Sequence, residues 1–301
     1  MTLKKILAIF SVLLVLGLSI YGYMIYKKIF SANTKFAEKE VFIYIPTDSD
    51  YAEVEKIVAP YIENMDNFKM VAEKKSYVTN VKAGKFLLKN NMNNNDIINS
   101  LRQPVETKLA FNNQERLEDF AGRIGSQIEA DSTSLMKAFT DKKFLEENGF
   151  TEENVLAMFI PNSYDFFWNT SAEKFRERMA KEYRKFWTAE RKAKAEVQKL
   201  TPIEVSILAS IVHKETVKTD ERPRVAGVYL NRLNKGIKLE ADPTVIYAVK
   251  KSENDFERVI KRVLYKDLET VSPYNTYRNF GLPPGPIATP DVTAIDAVLN
   301  P

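Results

Sequence analysis

The residue with the clearest chemical potential is Glu215, in the stretch ASIVHKET from Ala209 to Thr216. A helix advances about 100° per residue, which brings Glu215 onto the same apolar face as Leu208 and Ile211. An apolar wall removes water from a carboxyl group, disfavours its charged form and raises its pKa. A carboxylic acid that keeps its proton near neutral pH is what a general acid for glycosidic bond cleavage requires.

The sequence also allows a simpler interpretation of this glutamate. At a frayed helix end, the Glu215 carboxylate would reach water, with Lys218 or Arg222 nearby. His213, the single histidine of the chain, falls on the polar side of the helix. We therefore predict that His213 is a surface residue and not a catalyst.

Composition excludes several other chemistries. The 301-residue chain has no Cys and one His, so thiol nucleophiles and thiolate or multi-His metal sites are ruled out. Its scattered glycines form no phosphate-binding motif. A net charge of +4 gives no reason to expect a nucleic-acid partner. Carboxylates remain as the main candidates for acid–base chemistry, and no metal or cofactor is expected.

The helix that ends in this glutamate has a strong start signal. Thr201 is the predicted N-cap, Pro202 is the first helical residue, and Glu204 completes a capping box. A second capping box, Thr170 to Glu173, predicts the start of a charged amphipathic helix whose apolar stripe packs into the core.

An uncharged apolar stretch from Ile6 to Tyr26 lies between two lysine pairs near the start of the chain. Its length matches the ~20 residues needed to cross ~30 Å of hydrocarbon, and tyrosines cluster at its far end. A cleaved signal peptide is the alternative, but its apolar region is usually ~7–15 residues long and ends at a small-residue cleavage site. We predict an uncleaved membrane anchor, and the lysines at both ends leave its orientation open.

The segment 41–105 is predicted to form a small mixed domain. EVFIYIP alternates like a strand, YAEVEKIVAPYI has helical spacing, and YVTNVKAGKFLL is a further strand-like stretch with a glycine turn. The asparagine-rich NNMNNNDIINSLRQP is predicted to be a polar loop that leads into a short helix ending at Pro104.

Polar and aromatic residues beyond the glutamate are candidates for a sugar-binding cleft. Asn231 and Arg232 lie near the end of a helix that Gly236 is predicted to terminate, and Arg232 could instead pair with a nearby acid. Asp242 precedes Pro243, which is expected to hold it extended, and it could contact substrate or cap the loop. Aromatic faces and amides are the usual groups for gripping sugar rings and N-acetyl groups. The further candidates are Thr244, Tyr247, Tyr274, Asn275 and Tyr277.

The ordered blocks KET, VYLNRL, LEADPTVIY and PYNTY followed by GLPPGPI resemble the MltG/YceG-like family of endolytic murein transglycosylases. The resemblance is strongest over residues 201–291 and extends more loosely upstream through FIPNSYDFFWNTS. Segment 41–105 is similar to the family's LysM-like module. Many members read E-K-E-T in the catalytic helix, and this chain has His213 in place of the first glutamate. The resemblance therefore assigns the catalytic acid to Glu215.

This resemblance implies a fold and a location. The expected fold is α+β, with an N-terminal transmembrane helix, a small LysM-like α/β module and a mixed α+β catalytic domain. The expected segments are a cytosolic tail (1–5), the transmembrane helix (6–26), a linker (27–40), the LysM-like module (41–105) and the catalytic domain (106–301). The body would lie outside the cytoplasm, held by a single-pass anchor in the cytoplasmic (inner) membrane of a bacterium. Members usually continue with a Y-x-Y-F stretch and a late His, so this chain is either a truncated or a naturally short member.

The implied reaction is a lytic transglycosylation of peptidoglycan. Glu215 would protonate the glycosidic oxygen between MurNAc and GlcNAc, then take a proton from the MurNAc C6 hydroxyl as that oxygen attacks C1, leaving a 1,6-anhydro end. Expected partners are nascent glycan strands, whose growth the cut would end, and penicillin-binding proteins and other cell-wall synthases. Three alternatives stay open: a muramidase-type hydrolase with Asp242 or Glu240 as second carboxylate, an inactive protein that binds peptidoglycan, and a membrane scaffold.

Overall fold

The structure, a computed structural model, describes residues 3–301. The first two residues of the predicted cytosolic tail lie outside the described range. Helix α1, Leu3–Phe30, contains the whole predicted span and is long and apolar enough to cross a membrane. None of its side chains is buried in the protein, as expected of a helix that would lie in lipid.

The chain is mixed α+β and divides into two compact units, each with its own core. The first unit comprises the described residues up to Thr107 together with Asp165–Asn169. After α1 its elements are β1 (Glu40–Ile45), α2 (Tyr51–Val58), α3 (Met65–Lys74), β2 (Gly84–Lys89) and α4 (Asn94–Ser100). Strands β1 and β2 pair antiparallel, with Glu40 opposite Lys89, and their inward residues pack on the helices.

The predicted strand-like stretch YVTNVKAGKFLL forms a strand only from Gly84 onward. Gly84 has φ +141°, and a Cβ added there would lie 2.9 Å from the Cβ of Pro104. A glycine is therefore required at this turn, because any larger residue would have both the wrong backbone preference and too little room. The residues before it form turns that lead out of α3.

The asparagine run was predicted to be a polar loop, and it carries more structure than that. Asn93 caps α4 by accepting a hydrogen bond from the backbone N–H of Asp96 at 2.9 Å. Asn94 is buried: its amide donates to the carbonyl of Lys28 at 2.8 Å and accepts from Asn33 at 2.7 Å. These bonds tie the end of α1 to α4, which a polar composition alone could not indicate.

Two further strands, β3 (Glu106–Ala110) and β4 (Ser163–Phe167), form a second two-stranded sheet. The boundary between the two units passes within both strands. The second unit comprises Lys108–Tyr164 and Thr170–Pro301. Its helices are α5 (Leu117–Gly125), α6 (Ser132–Phe139), α7 (Lys142–Asn148), α8 (Ala172–Phe186), α9 (Ala189–Val197), α10 (Pro202–Glu215), α11 (Arg222–Asn234), α12 (Asp242–Glu253), α13 (Tyr265–Leu268) and α14 (Val292–Leu299).

The predicted start of α10 is confirmed. The Thr201 hydroxyl accepts from the backbone N–H of Glu204 at 3.3 Å, and the Glu204 carboxylate accepts from the backbone N–H of Thr201 at 2.7 Å. The second predicted capping box is wrong by one residue. Helix α8 is capped by Ser171, whose extended backbone brings its hydroxyl within 3.3 Å of the backbone N–H of Lys174.

Helix α10 runs through the middle of the second unit and has no polar face over most of its length. Every residue from Val205 to Val212 is buried, beneath α9, α11, α12 and α14. Two buried serines satisfy their hydroxyls within the helix: Ser206 donates to Pro202 O at 3.1 Å and Ser210 to Ile207 O at 2.7 Å. The sequence predicted a one-sided apolar stripe, and the structure buries the helix on all sides.

The GLPPGP segment packs against the chain at Glu153. A Cβ added to Gly285 would lie 1.8 Å from the Glu153 carbonyl oxygen, so the two backbones approach too closely for any other residue. The same segment passes α10, where the backbone N–H of Ile287 donates to the Ser210 hydroxyl at 3.1 Å. These contacts hold the segment against α10 in one place.

Candidate active site

Glu215 is the last residue of α10, where the helix leaves the core and its side chain meets solvent. The protein around it still crowds its carboxyl group. This desolvation is the largest reason why the pKa of Glu215 lies above its usual value, and the negative charge of Asp242 raises it further. The direction agrees with the prediction from the apolar face, and it favours the protonated acid.

Tyr229, on α11, is the direct partner of this carboxyl group. Its ring is buried, 7% exposed, and its hydroxyl donates to Glu215 Oε2 at 3.2 Å. This bond stabilises the carboxylate and opposes part of the rise in the Glu215 pKa. Sequence reasoning missed Tyr229, although a tyrosine inside the apolar part of VYLNRL is a usual sign of a buried ring with a polar tip that needs a partner.

Asp242 and Tyr277 form a second pair next to Glu215. The Tyr277 hydroxyl donates to Asp242 Oδ1 at 2.7 Å. Desolvation, then the carboxylate of Asp242, raises the pKa of Tyr277 to about 12, so it remains a hydrogen-bond donor. The charge of Glu215 also raises the pKa of Tyr277, and the charge of Asp242 raises the pKa of Glu215. Three of the predicted site residues therefore lie near one another.

The prediction that Asp242 is held extended is wrong. Asp242 is the first residue of α12, and the extended residue is Ala241, with φ −93° and ψ 114°. The reason is that Pro243 occupies the second helical position, where a missing N–H costs nothing and the fixed φ suits the helix. The Asp242 carboxylate is exposed and makes no cap to the first turn.

Two predicted residues lie beneath this surface. Thr244 is fully buried, and its hydroxyl contacts Ala241 O and the hydroxyl of Thr276, both at 2.7 Å. Asn275 is also fully buried, and its amide donates to Leu268 O at 3.0 Å and Thr270 O at 2.9 Å. These bonds fix the segment that carries Tyr277 relative to the start of α12.

Tyr247 and Tyr274 are brought together as a pair of rings. Their centroids lie 4.7 Å apart, and both rings are at most 9% exposed. They line one side of a cavity of about 370 Å³, where Lys251 lies 4.6 Å from the centre of the Tyr274 ring. Their predicted role in substrate binding stays a prediction.

Helix α11 ends as predicted, and the two polar residues near its end differ in their contacts. Gly236 follows the helix with φ +64°, the left-handed conformation expected of a helix stop. Arg232 pairs with Glu240 and donates to Lys238 O at 2.7 Å, which confirms the interpretation that it binds a nearby acid. Asn231 is exposed on the helix surface, and its role stays a prediction.

His213 was predicted to be a surface residue and not a catalyst, and its side chain is 19% exposed and lies against charged partners. Its Nδ1 lies 3.2 Å from Asp291 Oδ2 and 3.5 Å from the guanidinium of Arg222. Arg222 is 3% exposed and binds both carboxylate oxygens of Asp291, at 2.7 and 2.8 Å. Asp291 lies far along the chain from His213, so local spacing in the sequence could not indicate that His213 has a charged partner.

The simpler interpretation of Glu215 is confirmed in part, because its side chain reaches water at the helix end, but neither Lys218 nor Arg222 pairs with it. Arg222 is engaged by Asp291, and Lys218 pairs with Glu221 at 3.1 Å. Arg222 also donates to the carbonyl of Thr216 at 3.4 Å, which holds the chain directly after Glu215. The carboxyl group is thus left with a neutral donor, Tyr229, which stabilises its charged form, and a negative neighbour, Asp242, which together with desolvation favours a proton on it.

Two open cavities meet the surface at adjacent residues of α12. One, of about 530 Å³, is lined by Asp242 and Tyr277 together with Arg262 and Tyr265. The other, of about 450 Å³, is lined by Pro243 and by Lys214, the residue before Glu215. The surface is therefore open on both sides of Asp242 and Pro243.

We expect the two neighbours of Glu215 to shift its titration in opposite directions. Tyr229→Phe removes a donor to the carboxylate, so the pKa of Glu215 rises and the alkaline limb of the pH profile of cleavage moves to higher pH. Asp242→Asn removes a negative charge, so that pKa falls and the alkaline limb moves to lower pH. The measurement is kcat/KM against pH for both variants, and shifts in the same direction would contradict the assignment of Glu215 as the titrating acid.

Comparison with known proteins assigns this architecture to a family. Residues 43–301 match the family model described as YceG-like. An endolytic murein transglycosylase of Bacillus subtilis (strain 168) is 41% identical over 110 residues, which are 36% of this chain and 29% of that protein. The endolytic murein transglycosylase of Streptococcus pneumoniae (strain D39) is 26% identical over 89% of this chain and 53% of its own length.

A crystal structure of a YceG-like protein from Listeria monocytogenes has the same fold. It superposes with a TM-score of 0.59 at 27% identity, over 88% of this chain and 91% of that one. The chain spans about half or less of the length of the curated relatives it matches, 53% and 29%. Since the family match covers most of its residues, this chain belongs to the YceG-like family.

Proposed function

We propose that this chain is a lytic transglycosylase that cuts peptidoglycan strands, with Glu215 as the catalytic residue. The observation that carries the proposal is the environment of Glu215: a solvent-reachable carboxyl group whose pKa is raised by desolvation and by Asp242, with Tyr229 as its hydrogen-bond donor. The names of the Bacillus and Streptococcus relatives, endolytic murein transglycosylases, supply the substrate class and the reaction.

The first step is protonation of the leaving group. The Glu215 acid donates its proton to the glycosidic oxygen between MurNAc and GlcNAc, and the bond from C1 of MurNAc to that oxygen breaks. The Tyr229 hydroxyl then donates to the new carboxylate, and the hydrogen bond strengthens as charge develops on Glu215. A donor that is already in place costs no reorganisation at that moment.

The second step uses the same residue as a base. The Glu215 carboxylate takes the proton of the MurNAc C6 hydroxyl while that oxygen attacks C1, and a 1,6-anhydro ring closes. One proton leaves Glu215 and one returns, so Glu215 ends protonated. The attacking oxygen comes from the sugar, so no water is consumed. Because the attacking hydroxyl belongs to the sugar itself, binding in the right ring conformation replaces a bimolecular encounter.

The negative charge of Asp242 can act in this scheme without bonding to the sugar covalently. The glycosidic carbon becomes positively charged as the bond breaks, and a carboxylate beside it stabilises that charge. Tyr277 holds the Asp242 side chain through its 2.7 Å hydrogen bond. Thr244 and Asn275, which are buried below, act as positioning residues for this pair.

A muramidase-type hydrolase is the second candidate, and the same aspartate favours it. A hydrolase needs two carboxylates flanking the bond, and Asp242 is close enough for its charge to act on Glu215. Glu240, the other acid considered, is engaged by Arg232. In this reaction water attacks C1, and the product has a reducing MurNAc end instead of an anhydro end.

The test is mass spectrometry of glycan ends after digestion of purified peptidoglycan in oxygen-18 water. A transglycosylase gives 1,6-anhydro ends without the heavy isotope. A hydrolase gives reducing ends that carry it. No new ends with a correctly folded protein would overturn both enzymatic proposals and favour a protein that only binds peptidoglycan.

We further propose that α1 anchors the chain in the cytoplasmic membrane of a bacterium, with the body on the outer side where the glycan lies. The first unit, with its own core and its antiparallel β1–β2 pair, is proposed as the LysM-like module that binds the same polymer. Penicillin-binding proteins and other cell-wall synthases are proposed neighbours, since a cut in nascent strands would end their growth.

A further inference from the structure

The cavity of about 450 Å³ beside the catalytic helix has a composition that a neutral sugar chain does not require. It begins next to the catalytic centre, because Lys214 and Pro243, which line it, directly adjoin Glu215 and Asp242 in the chain.

One side of this cavity carries an excess of positive charge. The Glu115 carboxylate is bound by two ammonium groups, Lys214 Nζ at 3.0 Å and Lys250 Nζ at 2.9 Å. Desolvation acts to raise the pKa of Glu115, but the two lysines outweigh it and hold that pKa below its usual value. The cluster is thus two cations and one anion, and each ammonium keeps further N–H donors beyond the one bound to Glu115.

The excess charge is partly withdrawn from water. The Lys250 side chain is 12% exposed and the Lys214 side chain is 30% exposed. An ammonium group in that setting interacts more strongly with an incoming anion than a surface lysine does, because less water screens the pair. The cluster therefore favours a carboxylate over a neutral hydroxyl or amide.

The rest of the lining is largely apolar, apart from Glu257 and from Arg258, which pairs with Glu253. Ile246 of α12 and the loop residues Phe256 and Ile260 form one wall, and Ile287 of the segment packed on α10 forms another. Small apolar groups such as methyls would bury surface there, worth about 25 cal/mol per Å². A ligand that combines methyl groups with a free carboxylate matches both halves of the cavity.

We propose that this cavity binds the anionic peptide stem of the MurNAc residue at the cleavage site. The inference rests on the proposed function, because the stem is what a peptidoglycan strand carries beyond its sugars. It is attached through a lactyl group to the same sugar whose C1 bond breaks, so it starts within reach of a cavity that adjoins Glu215. Its lactyl and alanine methyls contact the apolar wall, and a carboxylate of the stem binds Lys250 and Lys214.

The test compares two variants that break the same ion-pair cluster with opposite effects on charge. Lys250→Gln removes one cation, and we expect kcat/KM for peptide-bearing strands to fall about tenfold, as for loss of one charge-assisted hydrogen bond. Glu115→Gln removes the competing anion, and we expect cleavage of the same strands to be retained or increased. On strands freed of peptides by an amidase, both variants should match the wild-type chain. Lys192→Gln, at an exposed position on α9, is the matched control.

A purely structural cluster would give another pattern. Both variants would then lose the same ion pair and would impair both substrates equally, and this result would overturn the proposal. Direct binding of a soluble muramyl peptide to the full chain, by calorimetry, separates the inference from the reaction. Weaker binding by Lys250→Gln but not by Glu115→Gln would support the cavity even if no anhydro ends were found, whereas equal binding by all variants would overturn it.

Discussion

Glu215→Gln is expected to lower kcat for glycan cleavage by about 10³-fold, within the ~10²–10⁴ usually lost with a general acid, while the protein stays folded. Glutamine has nearly the same shape and still accepts the hydrogen bond from Tyr229. It has no proton to give to the leaving oxygen and no basicity to take one back. Both proposed steps pass through this group, so the loss should appear in single-turnover rates as well as at steady state.

The matched control is Glu204→Gln, at the first turn of the same helix. A glutamine at this position can complete a capping box as a glutamate does, so activity and stability should stay close to the wild-type values. Anhydro ends are counted by mass spectrometry for the wild-type chain and both variants. If Glu215→Gln retained more than about a tenth of the wild-type rate, Glu215 would contribute less than about tenfold to the rate. A general acid usually contributes far more, so another group would have to be the acid.

Local signals in the sequence were sufficient to locate α10 and its last residue. A capping box depends on residues three apart, and an apolar face depends on spacings of three and four, so both can be identified without knowledge of the fold. Thr201 and Glu204 were identified in this way, and Glu215 was placed at the helix end, but these signals alone left open whether its carboxyl group would be desolvated or would reach water.

The long-range contacts around the end of α10 could not be found by the same means. Tyr229 contacts Glu215 from 14 residues away, and Asp291 contacts Arg222 from 69 residues away. These contacts exist because helices pack side by side. Residue type was also ambiguous. Thr244 and Asn275 have the polar groups of sugar-binding residues, yet their bonds satisfy buried backbone, which only burial and hydrogen-bond partners distinguish.

Arg222→Met is expected to lower the free energy of unfolding by about 2–3 kcal/mol. Removing one partner of a buried ion pair usually costs about 3–5 kcal/mol, and the lower figure reflects that the Asp291 side chain is 39% exposed and partly screened. Methionine fills much of the volume of the arginine stem, so the loss comes mainly from the Asp291 carboxylate, which keeps His213 but loses its buried guanidinium partner. For a protein of this size, Tm should fall by about 3–5 °C, measured by calorimetry.

The matched control is Arg224→Met, an exposed arginine on the same helix, for which little change is expected. Arg222→Met should also lower kcat, because Arg222 holds the carbonyl of Thr216 and with it the chain after Glu215. Equal stability of the two variants would contradict the role of the Asp291 pair.

The contribution of the Arg222–Asp291 pair to the free energy of unfolding should persist at acidic pH. Desolvation acts to raise the pKa of Asp291, but hydrogen bonds from His213 and Arg222 outweigh it and hold that pKa well below its usual range. A group with a depressed folded-state pKa contributes fully above its unfolded pKa of ~3.9, and its contribution is lost only as pH falls through the folded value. The difference in unfolding free energy between the wild-type chain and Arg222→Met should therefore stay constant from neutral pH to about pH 5 and shrink only below pH ~3.9. A difference that vanished between pH 7 and 6 would contradict the assignment of this stability to the Asp291 carboxylate.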